Sequence, residues 1–397
     1  MEERRTYSIA GAVATILLIM GFLFGSYTDT NNMLSDMGMI ARVEDLARVE
    51  DSPMEERAVD FSKPLSNPPP IIKAVYFTAA LGSSEKKVEY LIHLAKETEV
   101  NAVVMDIKDF SGYVAYDTDV PDVAAYKAER ILIPDVRALI TRLHQEGIYV
   151  IARITVFQDP VLARARPDLA VKHSGGGIWR DRNGLAWIDP AASDAWAYTV
   201  AIGQDAAGKG FDELNFDYIR FPSDGDLSAM RYPFWNRQTP KHETLKAFFT
   251  YLREGLPDAK LSADLFGFTA SHKDDLGIGQ IIEDAFAYFD YVSPMVYPSH
   301  YPKGFLGYEN PAAHPYEVVK QQMDSAGKRL AEFHAQNSGG RKSALRPWLQ
   351  DFDLGAQYSA PQVQAEIQAT KDALGETFAG FMLWNAGNIY TEEALTP

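Results

Sequence analysis

A regular alternation of strand and helix patterns, beginning at Lys73, constrains this chain more than any other feature. Eight short apolar segments rich in β-branched and aromatic residues predict strands, and the amphipathic stretches between them predict helices. This repeat is typical of the α/β class, and specifically of a (β/α)8 TIM barrel. The predicted strands span residues 73–78, 102–108, 149–156, 213–221, 260–268, 291–297, 345–351 and 380–385.

A doubly wound open sheet is the alternative arrangement of the same elements. That fold would place a glycine-rich phosphate loop after the first strand. The segment found there, TAALGSSEK, has a single glycine before its helix, which favours the barrel. The eighth unit is short, because the chain after the last strand ends in TEEALTP, and we expect part of the stalk that precedes the barrel to cover the gap.

The amino-terminal segment differs from the rest of the chain. Residues 7–25 are uncharged and almost wholly apolar, a length that just spans a membrane as a helix. Arg4 and Arg5 precede this run and acidic residues follow it, so the positive-inside rule places the remainder outside the cytoplasm. A cleaved signal sequence is the alternative, and the protein would then be secreted.

The sequence therefore divides into three parts. Residues 1–26 are a transmembrane anchor or signal sequence, and residues 27–70 are a polar, acidic stalk that ends in three prolines. Residues 71–397 form the barrel domain. We expect a single-pass protein of the cell membrane with its barrel on the extracytoplasmic side.

Composition excludes several kinds of function. The net charge of -16 disfavours nucleic acid as a partner and suits a neutral or cationic substrate. The chain has no cysteine, which rules out thiol catalysis, disulfides and Cys-ligated zinc. Its eight histidines lack zinc-hydrolase spacing and there is no G-x-S-x-G motif, so we expect neither a metal nor a cofactor.

Polar residues collect near the carboxyl ends of the predicted strands, where barrel enzymes build their active sites. In the fourth strand, Asn215 and Asp217 lie on one face of the extended chain, opposite Leu214 and Phe216. A buried strand normally avoids an unpaired carboxylate, because its desolvation costs several kcal/mol or more. An acid on this face therefore points to a function.

Carboxylates on several strands indicate glycosidic cleavage, which needs two acids flanking the scissile bond. We expect Arg220 to hold Asp217 ionised, and Asp264, which has apolar neighbours in the sequence, to be the proton donor. Asp351 would bind sugar hydroxyls and strain the ring. Aromatic side chains suit sugar faces, and Trp179 and Tyr301 belong to this aromatic group. The predicted catalytic residues are Asp217, Asp264 and Asp351, and the predicted substrate-binding residues are Asp106, Lys108, Arg153, Trp187, Asn215, Arg220, Tyr297, His300, Trp348, Trp384 and Asn385.

Several segments, among them VVMDIKDFSGYVAYDT and FDELNFDYIRFP, resemble a glycoside hydrolase domain family of bacterial membrane-anchored or secreted proteins. The resemblance covers nearly all of residues 71–390, and its most specific part is FDYIRFP at 216–222 combined with SAD at 262–264. It implies a TIM barrel related to the α-amylase and α-galactosidase groups. In amylase-like barrels the nucleophile ends strand four, the acid/base ends strand five and a helper carboxylate ends strand seven.

Matched to this sequence, that pattern implies roles for Asp217, Asp264 and Asp351. The chain departs from amylases in two respects, because strand five carries Asp in place of Glu and strand three lacks their Asp-and-His signature. The predicted function is hydrolysis of O-glycosidic bonds in an extracytoplasmic poly- or oligosaccharide, with retention. The alternative is a non-catalytic carbohydrate-binding barrel at the cell envelope, which would depend on Trp187 or Trp384 and be indifferent to Asp217.

Overall fold

Eight parallel strands close into a barrel in the computed structural model, which describes residues 64–396. Each strand pairs with the next in the chain, and β1 pairs with both β2 and β8 to close the ring. The architecture is the predicted (β/α)8 barrel. The strands are β1 Ile72–Phe77, β2 Ala102–Lys108, β3 Tyr149–Thr155, β4 Glu213–Asp217, β5 Leu261–Phe266, β6 Tyr291–Met295, β7 Trp348–Gln350 and β8 Gly380–Trp384.

The fourth and seventh strands are shortened most relative to the sequence prediction. The fourth ends at Asp217 because Tyr218 takes a left-handed conformation, with φ of 54°, that an extended strand cannot contain. The seventh is split into Ala344–Leu345 and β7, both of which pair with β6. Pro347 lies in the gap and has no N–H to donate to a neighbouring strand.

Helices follow the strands and cover the outside of the barrel. Asp135 caps the helix Val136–Gln145 by accepting a hydrogen bond from the Ala138 amide at 2.9 Å. Shorter elements lie between the barrel units: helices Pro121–Ala125 and Pro160–Ala165, and strands Val114–Tyr116, Glu129–Ile133, Lys172–His173 and Met230–Arg231. The main helices are α1 Glu85–Glu97, α2 Val136–Gln145, α3 Ser193–Lys209, α4 Lys241–Gly255, α5 Ile282–Phe286, α6 Pro315–Gln336 and α7 Ala360–Leu374.

The gap left by the short eighth unit is filled by the carboxyl-terminal segment. A 3-10 turn at Glu392–Ala394 follows β8. The Glu99 amide beyond α1 donates to the Leu395 carbonyl at 2.8 Å, and Gln364 on α7 donates to the Glu393 carbonyl at 3.1 Å. This segment thus joins the first and last helices, the place where we expected part of the stalk.

Alternate residues of each strand face the barrel interior, which is filled rather than hollow. At its amino-terminal end, Arg346 forms an ion pair with Glu213, and both side chains are fully buried. Higher in the barrel, Asn215 donates to the Ser262 hydroxyl at 3.0 Å. The opposite face of β4, with Leu214 and Phe216, belongs to the apolar core beneath the helices. The alternation of residues in the fourth strand predicted this arrangement, with polar residues inside the barrel and apolar residues outside it.

The predicted anchor (1–26) and almost all of the predicted stalk lie outside the described residues. Within residues 64–396, none of the helices combines the length and the apolar character needed to cross a membrane. The last part of the stalk is described, and there the Leu65 amide donates to Asp212 at 2.5 Å, at the start of β4.

Candidate active site

Arg153, on β3, lies at the centre of a group of carboxylates at the carboxyl-terminal end of the barrel strands. Its Nη1 donates to Asp106 at 2.5 Å and its Nη2 donates to Asp217. Its Nε lies 3.6 Å from Oδ2 of Asp264. Burial opposes the charged form of Arg153, but Asp106 and Asp217 outweigh this effect and raise its pKa. One buried cation therefore holds three acids together.

Asp264, on β5, has two donors on one carboxylate oxygen and none on the other. Oδ1 accepts from Asn215 at 2.8 Å and from the Trp348 indole at 2.7 Å, whereas Oδ2 is buried without a hydrogen-bond partner. Burial, reinforced by the negative charge of Asp217, raises the pKa of Asp264 to about 8. Asp264 is therefore protonated at neutral pH, and its unpartnered Oδ2 is available to carry the proton.

Asp217, at the end of β4, is held in a different way. One oxygen forms the salt bridge to Arg153, and the other accepts from the Tyr218 amide at 2.5 Å. The left-handed turn at Tyr218 brings that amide back onto the carboxylate. Asp217 is 6% exposed and Asp264 is 1% exposed, so Asp217 is the more accessible of the pair.

The two carboxylates occupy matching positions on adjacent strands. Asn215 pairs with Ser262, and Phe216 pairs with Ala263, so Asp217 and Asp264 come next in the same register. Neighbouring strands are about 4.8 Å apart. The register thus places Asp264, whose pKa is raised, beside Asp217, which forms a salt bridge with Arg153, at the barrel mouth.

Asp106 and Tyr76 complete the group on the side of β1 and β2. The Tyr76 hydroxyl donates to Asp106 at 2.5 Å, and its ring stacks on Trp384 with centroids 4.0 Å apart. Burial raises the pKa of Asp106 against the opposing charge of Arg153. Tyr76 is not among the predicted site residues, although its alternation with Ala74 in the first strand is a sign that it faces the interior.

Aromatic residues form a small pocket beside the carboxylates. Trp348 and Trp384 meet edge to face at 5.9 Å, and the Tyr297 ring lies 5.2 Å from His300. Burial lowers the pKa of His300 to about 4, so its ring is neutral at physiological pH. The pocket itself is lined by Phe266, Gly267, Phe268, Met295, Tyr297, His300 and Tyr301.

Three predicted site residues do not reach the carboxylate pair. Asp351 accepts two hydrogen bonds from Thr391, at 2.7 Å and 2.9 Å, because it is out of phase with the inward-facing Trp348 and Gln350. Lys108 forms a buried ion pair with Asp159 at 2.8 Å, after a register shift in β2 that follows Asp106. Asn385 donates to the backbone carbonyl of Asp351 at 2.5 Å.

The remaining predicted residues lie on the loops over the barrel. The Trp187 indole donates to Asp181 at 2.9 Å, and the Trp179 indole donates to the Asp226 carbonyl at 2.8 Å. Arg220 lies over the Trp187 ring, with its guanidinium 4.8 Å from the ring centroid. The salt bridge of Asp217 is therefore made by Arg153 and not, as we expected, by Arg220.

Within residues 64–396, there is no group of three or more His, Asp or Glu side chains placed to hold an ion. The side chains of the site provide one carboxyl group that is protonated at neutral pH, one carboxylate in a salt bridge, and aromatic rings around them.

A closed (β/α)8 barrel with paired carboxylates at the carboxyl-terminal end of its strands defines the class of TIM-barrel glycoside hydrolases. The chain belongs to the family described as "Putative glycosyl hydrolase domain", whose model matches residues 74–390. The resemblance seen in the sequence is thereby confirmed. No curated protein matches the chain.

Several solved structures are similar to this chain. A hypothetical protein from Ruminiclostridium thermocellum ATCC 27405 is 39% identical over 51% of this chain and 98% of its own, with a TM-score of 0.45. The glycoside hydrolase domain of PgaB (BpsB) from Bordetella bronchiseptica is 15% identical over 80% of this chain and 95% of its own, with a TM-score of 0.54. Alpha-L-fucosidase isoenzyme 2 from Paenibacillus thiaminolyticus is 13% identical over 82% of this chain and 48% of its own, with a TM-score of 0.50. At these identities the last two share the fold.

Proposed function

We propose that this protein hydrolyses O-glycosidic bonds of a poly- or oligosaccharide, with Asp217 and Asp264 as the catalytic pair. The observation that carries the proposal is the asymmetry between two adjacent acids. Asp264 has a pKa of about 8 and is protonated at neutral pH, whereas Asp217 is in a salt bridge with Arg153 that compensates its negative charge. Glycosidases need this combination of a carboxylic acid and a carboxylate.

The reaction that suits this pair is a double displacement. Asp217 attacks the anomeric carbon while Asp264 gives its proton to the leaving glycosidic oxygen, so the bond to the leaving group breaks as a glycosyl ester of Asp217 forms. A water molecule then attacks the anomeric carbon and returns a proton to the Asp264 carboxylate, which releases Asp217 and the sugar.

Retention of the anomeric configuration is the outcome that we propose for this pair. Retaining enzymes hold their two carboxyl groups about 5–5.5 Å apart, whereas inverting enzymes leave room for a water molecule between them. Two observations support the shorter spacing: Asp217 and Asp264 stand in register on adjacent strands, and both approach Arg153. NMR of the first-formed sugar tests this directly, because retention gives the anomer of the substrate and inversion gives the opposite one.

The location that we propose is extracytoplasmic and attached to the membrane. The support is the apolar run at residues 7–25 together with Arg4 and Arg5 on its amino-terminal side. Protease treatment of intact cells tests it, because the barrel should be accessible from outside and should fractionate with membranes. A barrel protected until the cells are lysed would contradict the proposal.

A carbohydrate-binding barrel without catalysis is the second candidate, and the burial of the pair favours it. Asp217 and Asp264 are 6% and 1% exposed, so a substrate must approach them through a narrow opening. The two functions differ in what Asp217→Asn removes. A hydrolase loses turnover and still binds glycan, whereas a binding barrel retains binding and has no turnover to lose.

The experiment is a reducing-end assay on a panel of polysaccharides, with binding to the same glycans measured in parallel. We expect turnover with the natural chain, loss of turnover in Asp217→Asn, and binding in both. Asp168→Asn is the matched control, because Asp168 lies on the surface and pairs with Arg166 away from the site. Binding without turnover by the natural chain would support the second function, and full turnover by Asp217→Asn would remove Asp217 from the mechanism.

A further inference from the structure

We propose that Arg220 is an anion-recognition residue of the active site, and that the glycan this protein cleaves carries a carboxylate, as uronic acids do. The inference rests on the proposed hydrolase function and adds a substrate class to it. Its evidence is separate from the carboxylate pair, because it concerns a buried cation that none of the catalytic steps uses.

Arg220 differs from the other buried cations of the protein. Five lysine or arginine residues in the described chain are buried: Lys108, Arg153, Arg220, Arg329 and Arg346. Four of them form ion pairs: Lys108 with Asp159, Arg153 with Asp106 and Asp217, Arg329 with Glu283, and Arg346 with Glu213. Within residues 64–396, Arg220 is the member of this group that has no carboxylate at ion-pair distance.

Aromatic rings surround the Arg220 guanidinium. Its central carbon lies 4.7 Å from the Phe266 ring centroid, 4.8 Å from that of Trp187 and 5.3 Å from that of Tyr218. Such rings attract a cation weakly compared with a desolvated carboxylate. Burial lowers the pKa of Arg220, and Tyr218 and three more distant carboxylates, those of Asp217, Asp224 and Asp181, oppose this shift without reversing it.

The free edge of Arg220 suits a carboxylate. Nη1 donates to the Phe221 carbonyl at 3.2 Å and to the Ser223 hydroxyl at 2.9 Å, which fixes the plane of the guanidinium. Nε and Nη2 have no partner among the described residues. These two nitrogens form one side of the guanidinium, and a carboxylate binds such a side through two parallel hydrogen bonds.

The position of Arg220 connects this edge to the reaction. Arg220 follows Asp217 by three residues, and the two charges interact. Phe266, one of its rings, also lines the aromatic pocket next to the carboxylate pair. A carboxylate on the sugar at the cleaved bond would therefore meet a fixed and desolvated partner, and it would provide the ion pair that Arg220 lacks.

The overall charge of the chain acts in the opposite direction. A net charge of -16 repels an anionic glycan at long range, although salt screens this repulsion beyond about 10 Å. We therefore expect the preference for carboxylates to appear as a lower dissociation constant at physiological salt. We do not expect it to appear as a faster association rate.

The test compares a uronic acid polysaccharide, such as polygalacturonate, with the same polymer after chemical reduction of its carboxyl groups. Dissociation constants and turnover are measured for the purified full-length chain and for Arg220→Gln, Arg220→Lys and Arg182→Gln. Arg182 is exposed on a neighbouring loop, so Arg182→Gln removes the same charge without touching the site. Thermal unfolding of each variant verifies that it is folded.

We expect the natural chain and Arg182→Gln to bind the native polymer at least about tenfold more tightly than the reduced polymer. Arg220→Gln should lose that preference. Arg220→Lys, which keeps the charge but has no planar fork, should lose most of it, and it serves as the folded variant if Arg220→Gln fails to fold. Equal binding of both polymers by the natural chain, or equal effects of Arg220→Gln and Arg182→Gln, would overturn the inference.

The outcomes also separate this inference from the hydrolase proposal. If the chain prefers the carboxylated polymer but cleaves neither polymer nor any other glycan, the anion site stands and the hydrolase function fails. If the chain cleaves neutral glycans and binds both polymers equally, the hydrolase function stands and the anion site fails. A preference for sulfated over carboxylated polymers would contradict the carboxylate assignment.

Discussion

The Trp348 indole donates a hydrogen bond of 2.7 Å to Oδ1 of Asp264, so a residue of β7 fixes the orientation of a carboxyl group on β5. The bond also tunes the acid, because a donor to the carboxylate stabilises its charged form. Without this bond and that of Asn215, burial and Asp217 would raise the pKa of Asp264 further. The proton donor of the proposed mechanism is thus held by side chains from β4 and β7.

Trp348→Phe should move the pH dependence of activity upward. Asp264 must be protonated to act as the acid, so we expect the kcat/KM of the natural chain to fall as the pH rises through about 8. Phenylalanine keeps the aromatic packing and removes the donor, so the pKa of Asp264 rises and the fall occurs at higher pH. A pH–rate profile of both proteins measures this, and a lower midpoint in the variant would contradict the assignment.

Asp264→Asn should increase stability at alkaline pH. Between the ordinary pKa of 3.8 and the value of about 8 in the folded protein, only the folded state holds the proton. The free energy of unfolding of the natural chain therefore decreases as the pH rises through this window, and the loss is complete above it. Asparagine removes the effect. The difference in Tm, variant minus natural chain, should therefore be greater at pH 9 than at pH 4. A constant difference would mean that Asp264 ionises normally.

Arg153→Met should destabilise the fold strongly. Its removal leaves Asp106, Asp217 and Asp264 buried together without a cation, and breaking a buried ion pair from one side costs about 3–5 kcal/mol. Arg166→Gln removes two surface pairs, with Asp168 and Asp194, and should cost about 0–1 kcal/mol for each. Urea unfolding of the two variants gives the comparison, and similar losses would show that the acids at the barrel mouth do not depend on Arg153.

Asp351→Asn should reduce stability and leave activity intact. The Asp351 carboxylate accepts two bonds from Thr391, so it fixes the carboxyl-terminal segment to β7, and the amide satisfies one of these donors at most. We expect the free energy of unfolding to fall by about 1 kcal/mol. We expect kcat to equal that of the natural chain. A large loss of kcat in a folded variant would instead support the role that the family resemblance implied for Asp351.

The barrel could be predicted from the sequence because its signal is repeated eight times. Each βα unit carries its own periodicity, so an error of a few residues in one strand does not change the fold. The errors fell where one residue overrides a pattern: the left-handed Tyr218 ends β4, and Pro347 splits the seventh strand. Neither effect is visible in hydrophobic periodicity.

The carboxylate group could be predicted only in part. Asp217 and Asp264 follow from alternation on adjacent strands, and the structure places both at the barrel mouth. Asp351 shows the limit of that reasoning. It follows the inward-facing Gln350 by one residue, so its side chain points away from the barrel interior and contacts Thr391. The choice of Arg153 over Arg220 as the partner of Asp217 depends on tertiary positions, which residue spacing does not encode.

The most direct test of Asp217 as the nucleophile and Asp264 as the proton donor compares two leaving groups. Rates are measured for the natural chain, Asp217→Asn and Asp264→Asn on a natural glycoside and on the matching dinitrophenyl glycoside, whose leaving group departs without protonation. We expect Asp264→Asn to lose about 10²–10⁴-fold on the natural glycoside and little on the activated one, and Asp217→Asn to lose activity on both. Equal losses of Asp264→Asn on both substrates, or full activity of Asp217→Asn on either, would contradict the proposed roles.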